Sequence, residues 1–305
     1  MSTQPVSMQP LRDPLQEPRK PSRSNVARRS AMDWIVSGLA ILATLLVLAP
    51  LAAILFYLVY KGASSLNLAF FTHVPAPVGE QGGGMSNAIV GSGIVLALAS
   101  LMGIPVGIAA GTYLSEFGRG TFLGNAIRFT ADVLNGVPSI VMGITIYSMV
   151  VKPQHHYSAL AGGIALAIMM VPTVTRTTEE MLATVPHAVR EAALGLGVPK
   201  WRTAISVSLR TASPGIITGC MLAFARVAGE TAPLLFTAFG NQFWSFNLNE
   251  PIAALPLQIY AYAISPYDEW HRLAWAGALV LIVLIMVSVT LVRIFANRGV
   301  LKGGS

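Results

Sequence analysis

The sequence contains few charged residues and almost no cysteine. Asp, Glu, Lys and Arg make up 11% of its 305 residues, whereas about 25% is usual in soluble domains. Cys220 is the single cysteine, so the chain cannot form an internal disulfide or a cysteine cluster for a metal. The five histidines show no metal-ligand spacing either, so we predict no metal site. The shortage of charge excludes an ordinary soluble domain.

The sequence also lacks a phosphate-binding motif of the form GxxxxGK[ST]. We therefore expect that the chain does not hydrolyse ATP, is not an enzyme and carries no cofactor of its own. Any energy from ATP must enter through a separate subunit.

What the sequence has instead is long uncharged stretches, and 54% of its residues are hydrophobic. A helix needs about 20 mostly apolar residues to cross the hydrocarbon core of a bilayer. We therefore predict an all-α integral membrane protein with six spans, at about 34–60, 88–114, 133–151, 157–175, 214–237 and 273–293. Residues 1–33 are rich in proline and basic residues and are predicted to be a disordered tail. Residues 297–305 form a short second tail.

The 20 lysines and arginines are distributed unevenly along the chain. With the N-terminus inside, 16 of them fall in the inner segments 1–33, 115–130, 176–213 and 293–305. Three fall in outer segments and one, Arg226, lies within a span. This positive-inside pattern predicts that both termini are cytoplasmic. The pattern also explains the net charge of +7, so the charge does not indicate a nucleic-acid partner. Anionic lipid headgroups are an alternative partner for the basic N-terminal tail.

Two charged residues lie within the fifth predicted span. Arg226 and Glu230 are four residues apart, a spacing that places them on one face of a continuous helix. Ionised side chains at membrane depth cost about 2.5–3.5 kcal/mol on insertion scales and usually mark a transport pathway. Arg226, Glu230 and the neighbouring Thr231 are therefore candidate pathway residues. The alternative is an ion pair that only fixes helix packing.

Two proline- and glycine-containing segments also stand out. Pro138 lies within the third predicted span and is expected to kink it, because proline removes a helical hydrogen bond. The long inner segment 176–213 reads as two short amphipathic helices joined by a sharp turn at Gly195 and Gly197, with Pro199 opening the second helix. Such a projection suits either the headgroup layer or a groove in a cytoplasmic partner.

The inner segment carries a family resemblance. The sequence EAALGLG at 191–197, followed by VSL at 207–209, resembles the EAA loop of bacterial ABC importer permeases. The family usually has proline where this chain has Arg210, and Pro214 is a candidate for the missing break one turn later. The stretches starting GGGMSNAIVG, ADVLNGVPSI, VPTVTRTTEE and FARVAGETAP narrow the resemblance to PstA-type permeases of the phosphate importer, over roughly residues 82–296.

The resemblance implies a type I ABC importer core (MetI-like) in the bacterial inner membrane. It implies a second permease of the PstC type, two PstB-type ATPase subunits that bind ATP and Mg²⁺, and a PstS-type phosphate-binding protein. It further implies that the EAA loop docks on the ATPase. The expected docking residues are Glu191, Ala192, Ala193, Gly195, Gly197, Lys200 and Trp201.

The function that follows is the translocation subunit of an ATP-driven phosphate importer. Phosphate is expected to pass Arg226, whose planar guanidinium can engage two of its oxygens. Three alternatives stay open: a permease for another oxyanion such as sulfate or molybdate, an ion-coupled secondary transporter, and a sensor of phosphate supply.

Overall fold

The computed structural model describes residues 23–77, 80 and 82–301, and most of them are helical. The chain divides into two units, residues 1–56 and 57–305. The α-helices of the described residues are α1 (Arg23–Ala63), α2 (Leu68–Thr72), α3 (Ser86–Glu116), α4 (Phe122–Gly136), α5 (Ser139–Ile146), α6 (Lys152–Gln154), α7 (Ala159–Ala183), α8 (His187–Gly195), α9 (Lys200–Thr203), α10 (Leu209–Ala228), α11 (Ala232–Thr237), α12 (Leu255–Ala263) and α13 (Asp268–Leu301). Two π-helical turns, Tyr147–Val151 and Ala204–Ser208, join α5 to α6 and α9 to α10.

The first unit contains helix α1 up to Phe56. Its side chains from Met32 onwards are exposed and almost entirely apolar, as expected of a lipid-facing span. The helix starts at Arg23, so the predicted disordered tail 1–33 is helical in its last part. The rest of that tail, residues 1–22, lies outside the described residues.

The prediction of a helical membrane protein is confirmed. Among the described residues, five helices are long and apolar enough to cross a membrane, and a sharply bent pair raises the number to six. The five are Met32–Ala63, Ser86–Glu116, Ala159–Ala183, Lys200–Ala228 and Asp268–Ile294. The fourth predicted span ends too early, because α7 continues to Ala183 and takes in the first residues of the predicted inner loop.

The third predicted span is not a single kinked helix. Helices α4 and α5 meet at an angle of 106°, with Val137 and Pro138 between them. Pro138 has an extended ψ of 136° and caps α5, so the helix stops before the proline and restarts after it. The prediction located the irregularity correctly at Pro138, but the structure has two separate helices there instead of one kinked helix.

The fifth predicted span, 214–237, is also displaced. A helix over Lys200–Ala228 includes α9, a π-turn and α10, and Pro214 lies inside α10 without breaking it. The helix ends at Ala228, and α11 begins after a gap at Ala232. Pro233 explains this gap, because its ring would clash with the backbone of a continuous helix.

The most extensive helix packing in the second unit is between α3 and α7. Glycines recur every fourth residue along the facing side of α3, at Gly103, Gly107 and Gly111. A Cβ atom at Gly107 would lie 2.6 Å from the Cβ of Val174, and one at Gly111 would lie 2.6 Å from the carbonyl oxygen of Thr175. Small residues at this spacing let two helix backbones approach closely in a membrane.

We expect Gly107→Ala to destabilise the second unit. The added methyl overlaps Val174, and overpacking of this kind costs about 1–3 kcal/mol. Gly93→Ala is the matched control, because a Cβ at Gly93 on the same helix meets nothing within 4 Å. The apparent melting temperature of the detergent-purified chain measures the difference. Equal melting temperatures for the two variants would contradict the close approach of α3 and α7.

Candidate functional site

Arg226, Glu230 and Thr231 lie on either side of a break in the helix. Arg226 is in the last turn of α10 and is exposed, whereas Glu230 and Thr231 follow the end of that helix and are half-buried. The Glu230 amide donates to the carbonyl oxygen of Val227 at 3.1 Å, which closes the final turn. The Thr231 hydroxyl is 3.5 Å from the carbonyl oxygen of Pro256, next to the start of α12.

The prediction that Arg226 and Glu230 share one helix face is wrong. The helix ends at Ala228, so Glu230 does not stand one turn above Arg226. Within the described part of the chain, the ion pairs that are found include neither residue. A guanidinium that is exposed and outside these ion pairs keeps its donors available to an anion.

The break is flanked by short helices. Helix α11 packs directly on α5, since a Cβ at Gly143 would lie 2.8 Å from the Cα of Pro233. The break at 229–231 therefore lies close to the half-helix that follows the bend at Pro138. In transport proteins, discontinuous helices at membrane depth commonly form the substrate site, because their free backbone groups are available to a ligand.

A polar network joins α4 to α7 through residues that no sequence pattern singles out as a group. Arg128 Nε is 2.7 Å from Glu179 Oε1, and Arg176 Nη1 is 3.3 Å from Glu179 Oε2. The guanidinium of Arg176 also makes a two-pronged contact with Asp132. Arg128 and Asp132, four residues apart on α4, therefore each pair with a residue of α7 and not with each other. Two arginines and two carboxylates balance in charge, and the network holds the helix before the 106° bend against α7.

The predicted inner projection is present as α8, a turn and α9. The turn is closed by backbone hydrogen bonds from Leu196 to Ala192, from Gly197 to Leu194 and from Val198 to Ala193. Gly197 has a φ of +79°, which side chains rarely adopt, so glycine is required at this position. We call residues 187–203 the knuckle.

The second short helix of the prediction is not a separate element. It is the beginning of the 29-residue helix Lys200–Ala228, so the knuckle continues directly into the helix that carries Arg226. Pro199 caps the start of this helix, as expected. The π-turn at Ala204–Ser208 connects α9 to α10. The helix then continues through Arg210 and Pro214 without a break.

Most of the predicted docking residues are exposed on the knuckle. Large apolar side chains are prominent among its exposed residues, with 85% of Leu196 and 61% of Trp201 accessible. Lys200 is exposed, and its Nζ lies 5.0 Å from the ring centre of Phe117. The further exposed residues of the predicted set are Glu191, Ala192, Gly195 and Gly197. Ala193 is buried and packs inward, so it does not belong to the outer surface.

The chain matches a model for the binding-protein-dependent transport system inner membrane component over residues 103–299. The match includes the glycine-lined contact, both helix breaks and the knuckle. The class of protein is therefore a multi-pass permease of the inner membrane.

Individual relatives of known description identify the family more narrowly. The phosphate transport system permease protein PstA of Yersinia pestis is 49% identical over 246 residues, which cover 80% of this chain and 83% of the relative. The protein of the same description from Pasteurella multocida is 47% identical over 88% of this chain and 94% of the relative. A probable PstA from Methanocaldococcus jannaschii is 38% identical over 80% and 86% of the two chains. The chain belongs to the PstA family of binding-protein-dependent transport permeases.

Solved structures support the fold. A chain of the MetNI methionine ABC transporter in an inward facing conformation superposes with a TM-score of 0.55 at 18% identity, covering 72% of this chain and 96% of that one. A chain of an amino acid ABC transporter crystallised with histidines gives a TM-score of 0.53 at 18% identity, over 70% and 92% of the two chains. At this identity the likeness concerns the fold alone.

We expect a cysteine at position 226 to react with a hydrophilic, membrane-impermeant thiol reagent. The native Cys220 is 5% exposed, so the wild-type chain serves as an unreactive background. Met286→Cys in α13, an exposed apolar position, is the control for a lipid-facing residue. The measurement is the rate of labelling in membranes that contain the assembled transporter. Labelling of position 226 no faster than of position 286 would show that Arg226 faces lipid.

Proposed function

We propose that this chain is the permease subunit of an ATP-driven importer of inorganic phosphate. The observation that carries the proposal is the 49% identity to a phosphate transport permease over 80% of the chain, together with an exposed arginine at a break in a membrane-spanning helix. A guanidinium and the backbone groups freed by the break can together bind an oxyanion that must cross an apolar barrier.

Each pathway residue has a distinct role in this proposal. Arg226 engages two phosphate oxygens through its planar fork. Glu230 accepts a hydrogen bond from the proton of monohydrogen phosphate, which a fully ionised sulfate cannot donate. Thr231 adds a hydroxyl beside them, at the point where α12 approaches the break. Pro138 keeps α4 and α5 apart and so positions the short helix on which α11 packs.

The transport cycle requires partner subunits. A second permease of the PstC type completes the pathway, and a PstS-type protein delivers phosphate from outside. Two PstB-type subunits bind ATP and Mg²⁺ and dock on the exposed surface of the knuckle, with Leu196 and Trp201 as apolar contacts. Because the knuckle continues into the helix that carries Arg226, its displacement moves the pathway residue directly. The distribution of basic residues supports a cytoplasmic location for the knuckle and both termini.

We expect phosphate uptake into vesicles only when the complete transporter, its binding protein and internal ATP are present. The reason is that the proposed pathway is opened by the ATPase and not by an ion gradient. Uptake of radiolabelled phosphate measures the activity, and a hydrolysis-deficient ATPase subunit is the control. Uptake by the permeases alone under an ion gradient would favour the secondary-transporter alternative. Faster uptake of sulfate or molybdate than of phosphate would favour another oxyanion.

We expect Arg226→Gln and Glu230→Gln to change transport in different ways. Arg226→Gln removes the bidentate contact and should reduce phosphate uptake at least about tenfold, the result of losing roughly 1.5–3 kcal/mol from a charged hydrogen bond. Glu230→Gln should retain uptake but lower the preference for phosphate over sulfate. The measurement is uptake of each anion in competition.

Copurification of the assembled complex is the control for both variants. If Arg226→Gln prevents assembly, the arginine serves packing instead of transport. If Glu230→Gln leaves both uptake and selectivity unchanged, the carboxylate has no role in recognition.

A further inference from the structure

The side chain of Arg190 is buried at the base of the knuckle, immediately before the EAA sequence. Only 9% of the residue is exposed, although arginine is rarely buried without a partner. Its nitrogens contact four groups outside α8. Nε lies 3.0 Å from Glu116 Oε1 and 3.3 Å from Ser208 Oγ, Nη1 donates to the carbonyl oxygen of Val185 at 3.1 Å, and Nη2 donates to that of Leu182 at 2.6 Å.

These four groups belong to three different helical segments. Glu116 is the last residue of α3, Leu182 is in the last turn of α7 with Val185 just beyond it, and Ser208 ends the π-turn that leads into α10. The guanidinium therefore joins the knuckle to the C-terminal ends of α3 and α7 and to the helix that carries Arg226. We call this set of contacts the Arg190 joint.

Physical chemistry explains why an arginine is needed there. Two helices end at the joint, and their free carbonyl groups favour a cation. The Glu116 carboxylate is buried at the negative end of α3, with 7% of its side chain exposed, so it too requires a positive partner. Lysine would supply the charge but not the planar fork that reaches several acceptors in fixed directions.

The exposed and buried faces of the knuckle thus have separate tasks. The outer face presents Leu196 and Trp201, whereas Arg190 fixes the inner face to the membrane helices. We propose that Arg190 is a positioning residue for energy coupling: through its joint with Glu116, Leu182, Val185 and Ser208 it makes α8 move as one body with α3, α7 and α10. This inference rests on the proposed docking of an ATPase on the knuckle.

Arg190→Lys in the complete transporter tests the proposal. The lysine keeps the charge beside Glu116 but loses the fork, so we expect the complex to assemble and hydrolyse ATP while transporting less phosphate per ATP. The ratio of ATP hydrolysed to phosphate transported should rise about fivefold or more, the lower end of the usual range for coupling between sites. Arg119→Lys is the matched control, because Arg119 is exposed between α3 and α4, three residues beyond Glu116. Its ratio should equal that of the wild type.

A purely structural arginine would give a different result. In that case uptake and ATP hydrolysis would fall together with the yield of assembled complex, and the ratio in the complexes that remain would be unchanged, which overturns the proposal. If Arg190→Lys does not assemble, Glu116→Gln decides the matter, since it keeps an acceptor oxygen while removing the buried negative charge. A raised ratio in that variant supports the joint, and failure of both variants to assemble shows that it serves folding alone.

The outcome also separates this inference from the proposed function. If the wild-type permeases transport phosphate without an ATPase, the proposed function is wrong and the ratio has no meaning. If the wild type needs the ATPase and Arg190→Lys has an unchanged ratio, only the inference about Arg190 is wrong.

Discussion

The close approach of α3 and α7 is the constraint on which the rest of the second unit depends. In a bilayer, lipid tails are as apolar as leucine, so helices gain little from apolar contact alone and need tight packing. The glycines of α3 permit this packing, with Gly107 against Val174 and Gly111 against Thr175. Helices α10 and α4 then pack on the same α7, and the C-terminal ends of α3 and α7 provide the anchor for the knuckle.

Arginine is used in two opposite ways in this protein. Arg128, Arg176 and Arg190 are held by carboxylates or helix-end carbonyl groups, and they fasten α4 and the knuckle to the core. Arg226 lies outside the ion pairs found among the described residues and is exposed at a helix break. A guanidinium held by several acceptors fixes the geometry of the helices around it, while an exposed one keeps its donors free for other contacts.

The sequence was sufficient for the fold class, for most spans and for the position of the knuckle, because these follow from hydropathy, glycine and proline. It was insufficient where a local pattern competes with tertiary contacts. Arg128 and Asp132 have the spacing of a helical pair, yet each binds a partner on α7, since α7 presents Arg176 and Glu179 at closer range. The spacing of Arg226 and Glu230 misled because α10 ends at Ala228, between the two residues. Burial of Arg190 depends on the ends of α3 and α7 meeting the helix Lys200–Ala228 near Ser208, which no local pattern encodes.

The long helix Lys200–Ala228 has a further consequence. Its 29 residues extend about 43 Å at 1.5 Å per residue, whereas the hydrocarbon core is about 30 Å thick. The excess length is accommodated by tilt of the helix or by extension of its ends beyond the lipid tails. A thicker bilayer would cover more of this helix, so bilayer thickness affects how far the knuckle projects from the membrane surface.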